Sequence, residues 1–287
     1  MTSSIRPVGE LLRDWRRRRR MSQLDLALDA EISTKHLSFL ETGRSAPSRA
    51  MLLRLSDHLT IPFRDRNVLL SSAGFAPLFP ERGLDDPELL AARACIDTLL
   101  AGHEPYPALA VDRRWIMVAA NAAVANLIAG VEPLLLRPPV NVLRLSLHPA
   151  GLAPRIINLG EWRAHIVERL RRQIELCGDP NLIDLVEEIR DYPMPPRTAA
   201  ERTEEERVAA SPRIAVPLRL ATIHGTLSFF STITVFGTPI DITLSELAIE
   251  SFLPADAETG TIMRRLADAA MTQESDTAPP QKAISTH

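Results

Sequence analysis

The sequence predicts two structural classes in one chain: an all-α N-terminal domain of five short helices, then an α+β domain with an antiparallel sheet. Three observations lead there. Apolar residues recur at helical spacing through residues 8–75, punctuated by capping residues and glycines. The stretch Ala76 to Pro87, with Pro77, Pro80, Gly83 and Pro87, marks a domain boundary. Beyond it the pattern runs strands, helices, then strands again, the order of an α+β domain. With 287 residues, the chain has room for two domains of roughly 100–200 residues each.

Val8, Leu11, Leu12 and Trp15 fall at i, i+3, i+4 and i+7 and predict an amphipathic first helix. The run Arg16–Arg20 follows, where cations oppose the helix dipole; it reads either as a solvated helix end or as a phosphate-facing patch. Ser22, with Asp25 three residues on, forms a loose capping box for a second helix to about Asp29. After the turn Ala30-Glu31-Ile32, Ser33 caps a third helix, Thr34 to Glu41, which Gly43 ends. Two short helices joined by such a turn are a helix-turn-helix unit, with Leu26, Ile32, Leu37 and Leu40 on its buried side. A fourth helix carries the stripe Met51, Leu52, Leu55 and Leu59, and a fifth runs from about Arg64 to Ser72 before Gly74.

Charge divides the same way. Residues 1–75 hold 13 Lys and Arg against 8 Asp and Glu, a net of +5, whereas the remainder holds 20 against 28, a net of −8. The basic small domain is therefore the half suited to a polyanion. An apolar fraction of 45% with 24% charged residues is that of an ordinary soluble globular protein. The cysteines, Cys95 and Cys177, lack disulfide or metal spacing, so a reduced cytoplasmic setting is expected. No signal peptide, transmembrane helix or membrane partner is expected.

The motif S-Q-x-x-L-A at 22–27, I-S-x-x-x-L-S-x-L-E-x-G-R-x-x-P-S at 32–48, then L-x-x-L, resembles the Xre/Cro type of helix-turn-helix repressor. The resemblance covers residues about 8–75 and implies double-stranded DNA as partner. It implies that Gln23 touches a phosphate and braces the reading helix, and that Thr34, Lys35 and Phe39 meet base edges. Ser33, His36 and Ser38 lie beside them, and Arg44 reaches phosphate. Lys35 suits guanine O6 or N7 and Phe39 a thymine methyl, unless Phe39 is a core aromatic. Arg16 and Glu41 match a partly buried ion pair of that family. Glu31 stands where the family often has glycine, so a positive φ is expected there.

In the second half, a helix is expected over about Glu88–Ala101, then strands at Tyr106–Asp112 and Trp115–Ala120 around the turn Asp112-Arg113-Arg114. Asn121 reads as the cap of helix Ala122–Ala129. Helices follow at Glu161–Cys177 and Leu182–Asp191, then the acidic, proline-rich stretch 193–212 with Glu204-Glu205-Glu206. Strands return at Ile214–Ile223, placed at an edge by Pro217, at Thr226–Phe236 and at Glu246–Leu253. A helix Ala255–Ala270 ends the fold, and 272–287 reads as a disordered tail. The domains expected are 1–75, a linker and connecting helix over 76–104, and 105–271.

The segments D-R-R-W-x-x-x-x-A-N at 112–121, N-x-L-R-L at Asn141–Leu145 and E-W-R at Glu161–Arg163 resemble the MmyB-like ligand-binding domain. That domain has a PAS-like fold, and some members hold a fatty acid. The resemblance covers about 105–270, with Ser211-Pro212 in place of the usual histidine-proline. It implies a sensor of an apolar small molecule, with Trp115, Val118, Phe229, Phe230 and Phe236 as pocket candidates; plain core packing is the alternative for each.

No G-x-S-x-G, H-E-x-x-H, P-loop or G-x-G-x-x-G is present. His165 and Glu168 lie one helical turn apart with no third ligand. No catalytic residue, metal or cofactor is expected. The sequence therefore reads as a homodimeric DNA-binding regulator. Its rivals are a protein-interaction scaffold or antitoxin-like module without a ligand, and an enzyme with a DNA-binding appendage.

Overall fold

A computed structural model describes residues 6–194 and 215–277. The chain divides into two compact units, and the division is not sequential: residues 1–93, 169–184 and 236–247 form the first, and 94–168, 185–235 and 248–287 the second. Glu204–Glu206 and Ser211-Pro212 lie outside the described residues.

The first unit opens with α1 (Val8–Arg18), α2 (Gln23–Asp29), α3 (Thr34–Glu41), α4 (Arg49–His58) and α5 (Phe63–Ser72). Their core is one apolar cluster that includes Leu12, Trp15, Leu26, Leu37, Leu40, Leu52, Leu55 and Leu69. Helix starts are fixed by three serines. Ser22, Ser33 and Ser48 accept hydrogen bonds from the amides of Asp25, His36 and Met51 at 3.1, 3.1 and 3.2 Å. The Asp25 carboxylate accepts in turn from the Ser22 amide at 2.8 Å, completing the capping box.

All five helices end in the same way. A residue at positive φ follows each cap: Arg20, Glu31, Gly43, Thr60 and Gly74. The next amide then donates back across the last turn, from Met21 to Arg16, Ile32 to Ala27, Arg44 to Phe39, Ile61 to Ser56 and Phe75 to Leu70, at 2.9–3.1 Å. Four of those following residues, Met21, Ile32, Ile61 and Phe75, belong to or pack against the core, so each chain reversal is locked by apolar burial.

The proline-rich stretch expected to be a linker is docked onto α5. Asn67 accepts from the amides of Leu78 and Phe79 at 2.9 and 3.1 Å and donates to the Phe79 carbonyl at 2.7 Å. The Phe63 and Phe79 rings stack 4.2 Å apart. Arg64 bonds both Glu81 and Glu246, and Arg82 meets Asp241 at 3.2 Å. The short helix Ile242–Glu246 is thereby held in this unit.

The second unit is α+β and PAS-like, with a fully antiparallel sheet in the order β2-β1-β5-β4-β3. Its strands are β1 (Ala108–Val111), β2 (Met117–Ala120), β3 (Leu218–Thr222), β4 (Gly225–Val235) and β5 (Ala248–Pro254). Strand β3 starts directly after Pro217 and lies at the edge, where a missing amide donor does least harm. The unit also holds α7 (Ala122–Ile128), α8 (Val142–Leu147) and most of α6 (Leu90–Gly102), with α9 (Leu159–Cys177) and α10 (Pro180–Asp191) in part. The C-terminal helix, Ala257–Thr277, meets β4 where the Ser228 amide donates to Thr259 Oγ1 at 2.9 Å. It runs seven residues past the end expected at Ala270, into the stretch expected to be a disordered tail.

Asn121 stands at the N-cap of α7, but its side chain makes no capping bond there. Its side chain accepts from the Ala108 amide at 3.0 Å and donates to the Leu100 and Tyr106 carbonyls at 3.2 and 2.7 Å. With those bonds made it has no reach to the helix, and Glu104 takes the Ala122 amide instead, at 2.9 Å. Among the described residues, no helix is long and apolar enough to cross a membrane.

Candidate nucleic-acid interface

Helix α3 sorts its residues by face. Leu37 and Leu40 have no exposed surface, whereas Ser33, Lys35 and Arg44 are exposed and Thr34, His36, Ser38 and Phe39 are half-buried. The Lys35 ammonium lies 5.7 Å and the Arg44 guanidinium carbon 5.8 Å from the centre of the Phe39 ring. Two cations and an aromatic ring thus share one outward patch. Glu31, at φ +51°, supplies the left-handed turn residue that aims α3 away from α2. Phe39 is a surface aromatic at the rim of the core, because the heptad-like spacing of Leu37 and Leu40 already fills the inward side.

Glu41, at the end of α3, is where three elements join. Arg16 of α1 donates to both of its carboxylate oxygens, at 2.6 and 2.8 Å, and Gln23 of α2 donates at 2.9 Å. Arg13 adds a bond to the Glu41 carbonyl at 3.0 Å. Burial pushes the Glu41 carboxyl up, but the hydrogen bonds from Arg16 and Gln23 and the charges of Arg16 and Arg13 outweigh it and hold it below the usual carboxylate range. Gln23 therefore braces α3 through Glu41.

The basic run is divided among different tasks. Arg16 serves Glu41. Arg19 donates to the Leu59 and Thr60 carbonyls at 2.8 and 3.0 Å and to the Leu176 carbonyl in the last turn of α9 at 3.1 Å. Burial, followed by the charge of Arg18, lowers its pKa. Arg18 covers the Trp15 ring at 4.9 Å and lies against Gly178, where a β-carbon would stand 1.4 Å from its guanidinium. Arg17, Arg18 and Arg20 are exposed. Arg16–Arg20 is therefore not one phosphate patch: Arg16 and Arg19 hold the fold.

The second unit has a cleft of about 460 Å³ lined by Leu127, Arg155, Ile223, His224, Leu227 and Leu266, among others. Arg155 donates to the Leu127 carbonyl, and burial lowers its pKa. The five aromatic and aliphatic candidates do not gather here. Phe229 is fully buried, with its ring edge-on to Phe252 at 6.3 Å. Its neighbour Phe230 must face the opposite side of β4 and is exposed, as is Val118. Trp115 is buried at the β1–β2 turn with φ +65°, an outlier for so bulky a residue. Phe236 belongs to the first unit. His165 stacks on Trp162, ring centres 5.5 Å apart.

A helix-turn-helix domain family matches residues 7–69. The MmyB-like transcription regulator ligand binding domain matches residues 92–266, more than half of the chain. The chain belongs to that family. The MmyB-like domain spans the sheet and the cleft just described. An uncharacterized HTH-type transcriptional regulator, RghRB, of Bacillus subtilis (strain 168) is 34% identical over 76 residues, which is 26% of this chain; the chain spans about half, 52%, of that relative's length. A solved structure of an RNA-binding light-oxygen-voltage receptor aligns over 93% of this chain and 64% of its own, with 14% identity and a TM-score of 0.23, too low to bear on the fold.

The sequence signal missed Gly9, Asn67 and the cleft residues. Gly9 carries no turn signature, yet a β-carbon there would meet the Leu40 carbonyl oxygen at 2.4 Å. Arg155, Ile223 and Leu266 are far apart in the chain and meet only through the fold.

Proposed function

We propose that this MmyB-like protein is a one-component transcriptional regulator of the Xre type. It reads double-stranded DNA with α3 as a homodimer and responds to an apolar small molecule held by its second unit. The observation that carries the reading is the sorting of α3: Leu37 and Leu40 in the core, and the exposed Lys35 and Arg44 gathered at the half-buried Phe39 ring.

In this reading Lys35 donates to a guanine edge, Thr34 and His36 flank it, and Arg44 holds a phosphate. Ser33 and Ser38 face the backbone, and Gln23 adds a phosphate contact from the start of α2. One such unit reads half of a palindrome, so two copies present their α3 helices about 34 Å apart. The protein acts by binding rather than by catalysis. Cys95 and Cys177 are not joined in a disulfide, as suits a reducing cytoplasm.

The cleft volume of about 460 Å³ is in the range of small-molecule sites. Leu127, Ile223, Leu227 and Leu266 give it apolar walls, and Arg155 gives it one cation. A fatty acid, with an acyl chain and a carboxylate, matches that combination. Such a ligand alters DNA affinity only if it binds one dimer arrangement better than another.

Two measurements test this. Fluorescence anisotropy across a salt series should show DNA binding whose log–log salt slope falls by about one unit in Arg44→Ala; an unaltered slope removes Arg44 from the phosphate contacts. Native mass spectrometry of the purified chain should show a dimer and a copurified apolar ligand. A monomer with an empty second unit would overturn both finer assignments.

A further inference from the structure

We propose that Phe39 is a positioning residue: its ring, held on the outward face of α3, orders Lys35 and Arg44 in the free protein before DNA arrives. The proposal rests on the assignment of that face to DNA. Lys35 precedes Phe39 by four residues, so its side chain lies one turn away on the same face. Arg44 reaches the ring by a different route. Gly43, at φ +72°, reverses the chain, and the Phe39 carbonyl accepts from the amides of Arg44 at 2.9 Å and Ser45 at 3.2 Å. Thr42 Oγ1 reinforces the reversal with bonds to the Ser38 and Phe39 carbonyls at 2.7 and 3.4 Å. Phe39 thus holds the backbone of the Arg44 loop through its carbonyl and the Arg44 head group through its ring.

The physical gain is entropic. Lys and Arg side chains lose considerable rotamer freedom when a contact fixes them. A ring face within about 6 Å attracts a cation through its quadrupole and restricts that freedom in advance. It also holds two like charges on one patch, so that the residue aimed at a base and the residue aimed at a phosphate are fixed in mutual register. A thymine-methyl contact alone would need only an apolar side chain at 39. Positioning needs an aromatic one.

The test compares full-length wild type, Phe39→Leu and Phe39→Tyr. In the wild type without DNA, NMR should show the side-chain methylene protons of Lys35 and Arg44 shifted upfield by the ring. Phe39→Leu should abolish both shifts and weaken binding to a selected DNA site by roughly two- to fivefold for each cation released. Phe39→Tyr should retain the shifts and the affinity. Unshifted Lys35 and Arg44 protons in the wild type would overturn the proposal. So would wild-type affinity in Phe39→Leu, or an equal loss in Phe39→Tyr. If Phe39→Leu does not fold, the wild-type shifts and the Phe39→Tyr affinity decide. If the wild type binds no DNA, the regulator reading fails, and the DNA-free shifts still judge the positioning.

Discussion

Arg16 and Glu41 meet through two hydrogen bonds, of 2.6 and 2.8 Å, and so fasten the end of α3 to α1. Glu41→Gln keeps the shape and removes the charge, leaving Arg16 buried without its carboxylate. We expect a loss of about 3 kcal/mol, read as faster amide exchange in α1 and α3. The pair also sets an acid dependence. The Glu41 carboxyl lies below its ordinary value of 4.5, so its contribution is complete above that pH and is lost as pH falls through the lowered value. Glu41→Gln should flatten the acid limb of the unfolding profile below about pH 4.5. An unchanged limb would remove Glu41 from the acid response.

Gly9 lies against the backbone of the same junction. Alanine in a helix interior normally stabilises by ~1 kcal/mol over glycine. Here a β-carbon would stand 2.4 Å from the Leu40 carbonyl oxygen and 2.7 Å from that of Glu41. Backbone cannot swing aside as a side chain can, so Gly9→Ala should destabilise the first unit by roughly 1–3 kcal/mol. A raised melting temperature would show that α1 and α3 separate at little cost.

Three helix ends, at Arg20, Glu31 and Thr60, carry strain that glycine would release. Glu31 and Thr60 occupy left-handed positions at φ +51° and +48°. Glu31→Gly and Thr60→Gly should each stabilise by about 1 kcal/mol, with the larger gain at the β-branched threonine. Differential scanning calorimetry of the single and double variants checks this; additive gains are expected because the two turns follow different helices.

Arg155 is the cation of the cleft, and its pKa is lowered by burial. Arg155→Met should weaken binding of a long-chain carboxylate by roughly tenfold or more, the worth of a hydrogen bond to a charged group. The methyl ester of the same chain should bind both proteins alike. Calorimetric titration decides; equal losses for acid and ester would mean that Arg155 shapes the cleft rather than meeting a head group.

The five N-terminal helices were largely legible in the sequence because their signals are local. Serine caps, the spacing of Leu37 and Leu40, and Gly43 and Gly74 act within a turn of where they stand. Glu31 was legible as a left-handed residue only through the family resemblance, and Arg20 and Thr60 gave no sign because their positions are set by burial of Met21 and Ile61. The docking of the proline-rich stretch on Asn67 was hidden, since prolines mark where helices stop and not what an extended segment touches. In the second unit the strands were readable as short apolar runs between turn residues, and Pro217 placed β3 at the edge. The cleft was not, because it joins α7, Arg155, the β3–β4 turn and Leu266 of the C-terminal helix. Aromatic residues gave the wrong guide to it: Phe229 fills the core, and Phe230, one residue on, faces away.

Binding-site selection from a random duplex library, run on the full-length wild type and Lys35→Ala, tests the outward face of α3 most directly. The wild type should enrich a palindrome with half-sites one helical turn apart. Lys35→Ala should enrich the same palindrome with preference relaxed at one base pair in each half, a discrimination of ~1–3 kcal/mol. Identical enriched sequences from the two proteins, or no enrichment from the wild type, would contradict it.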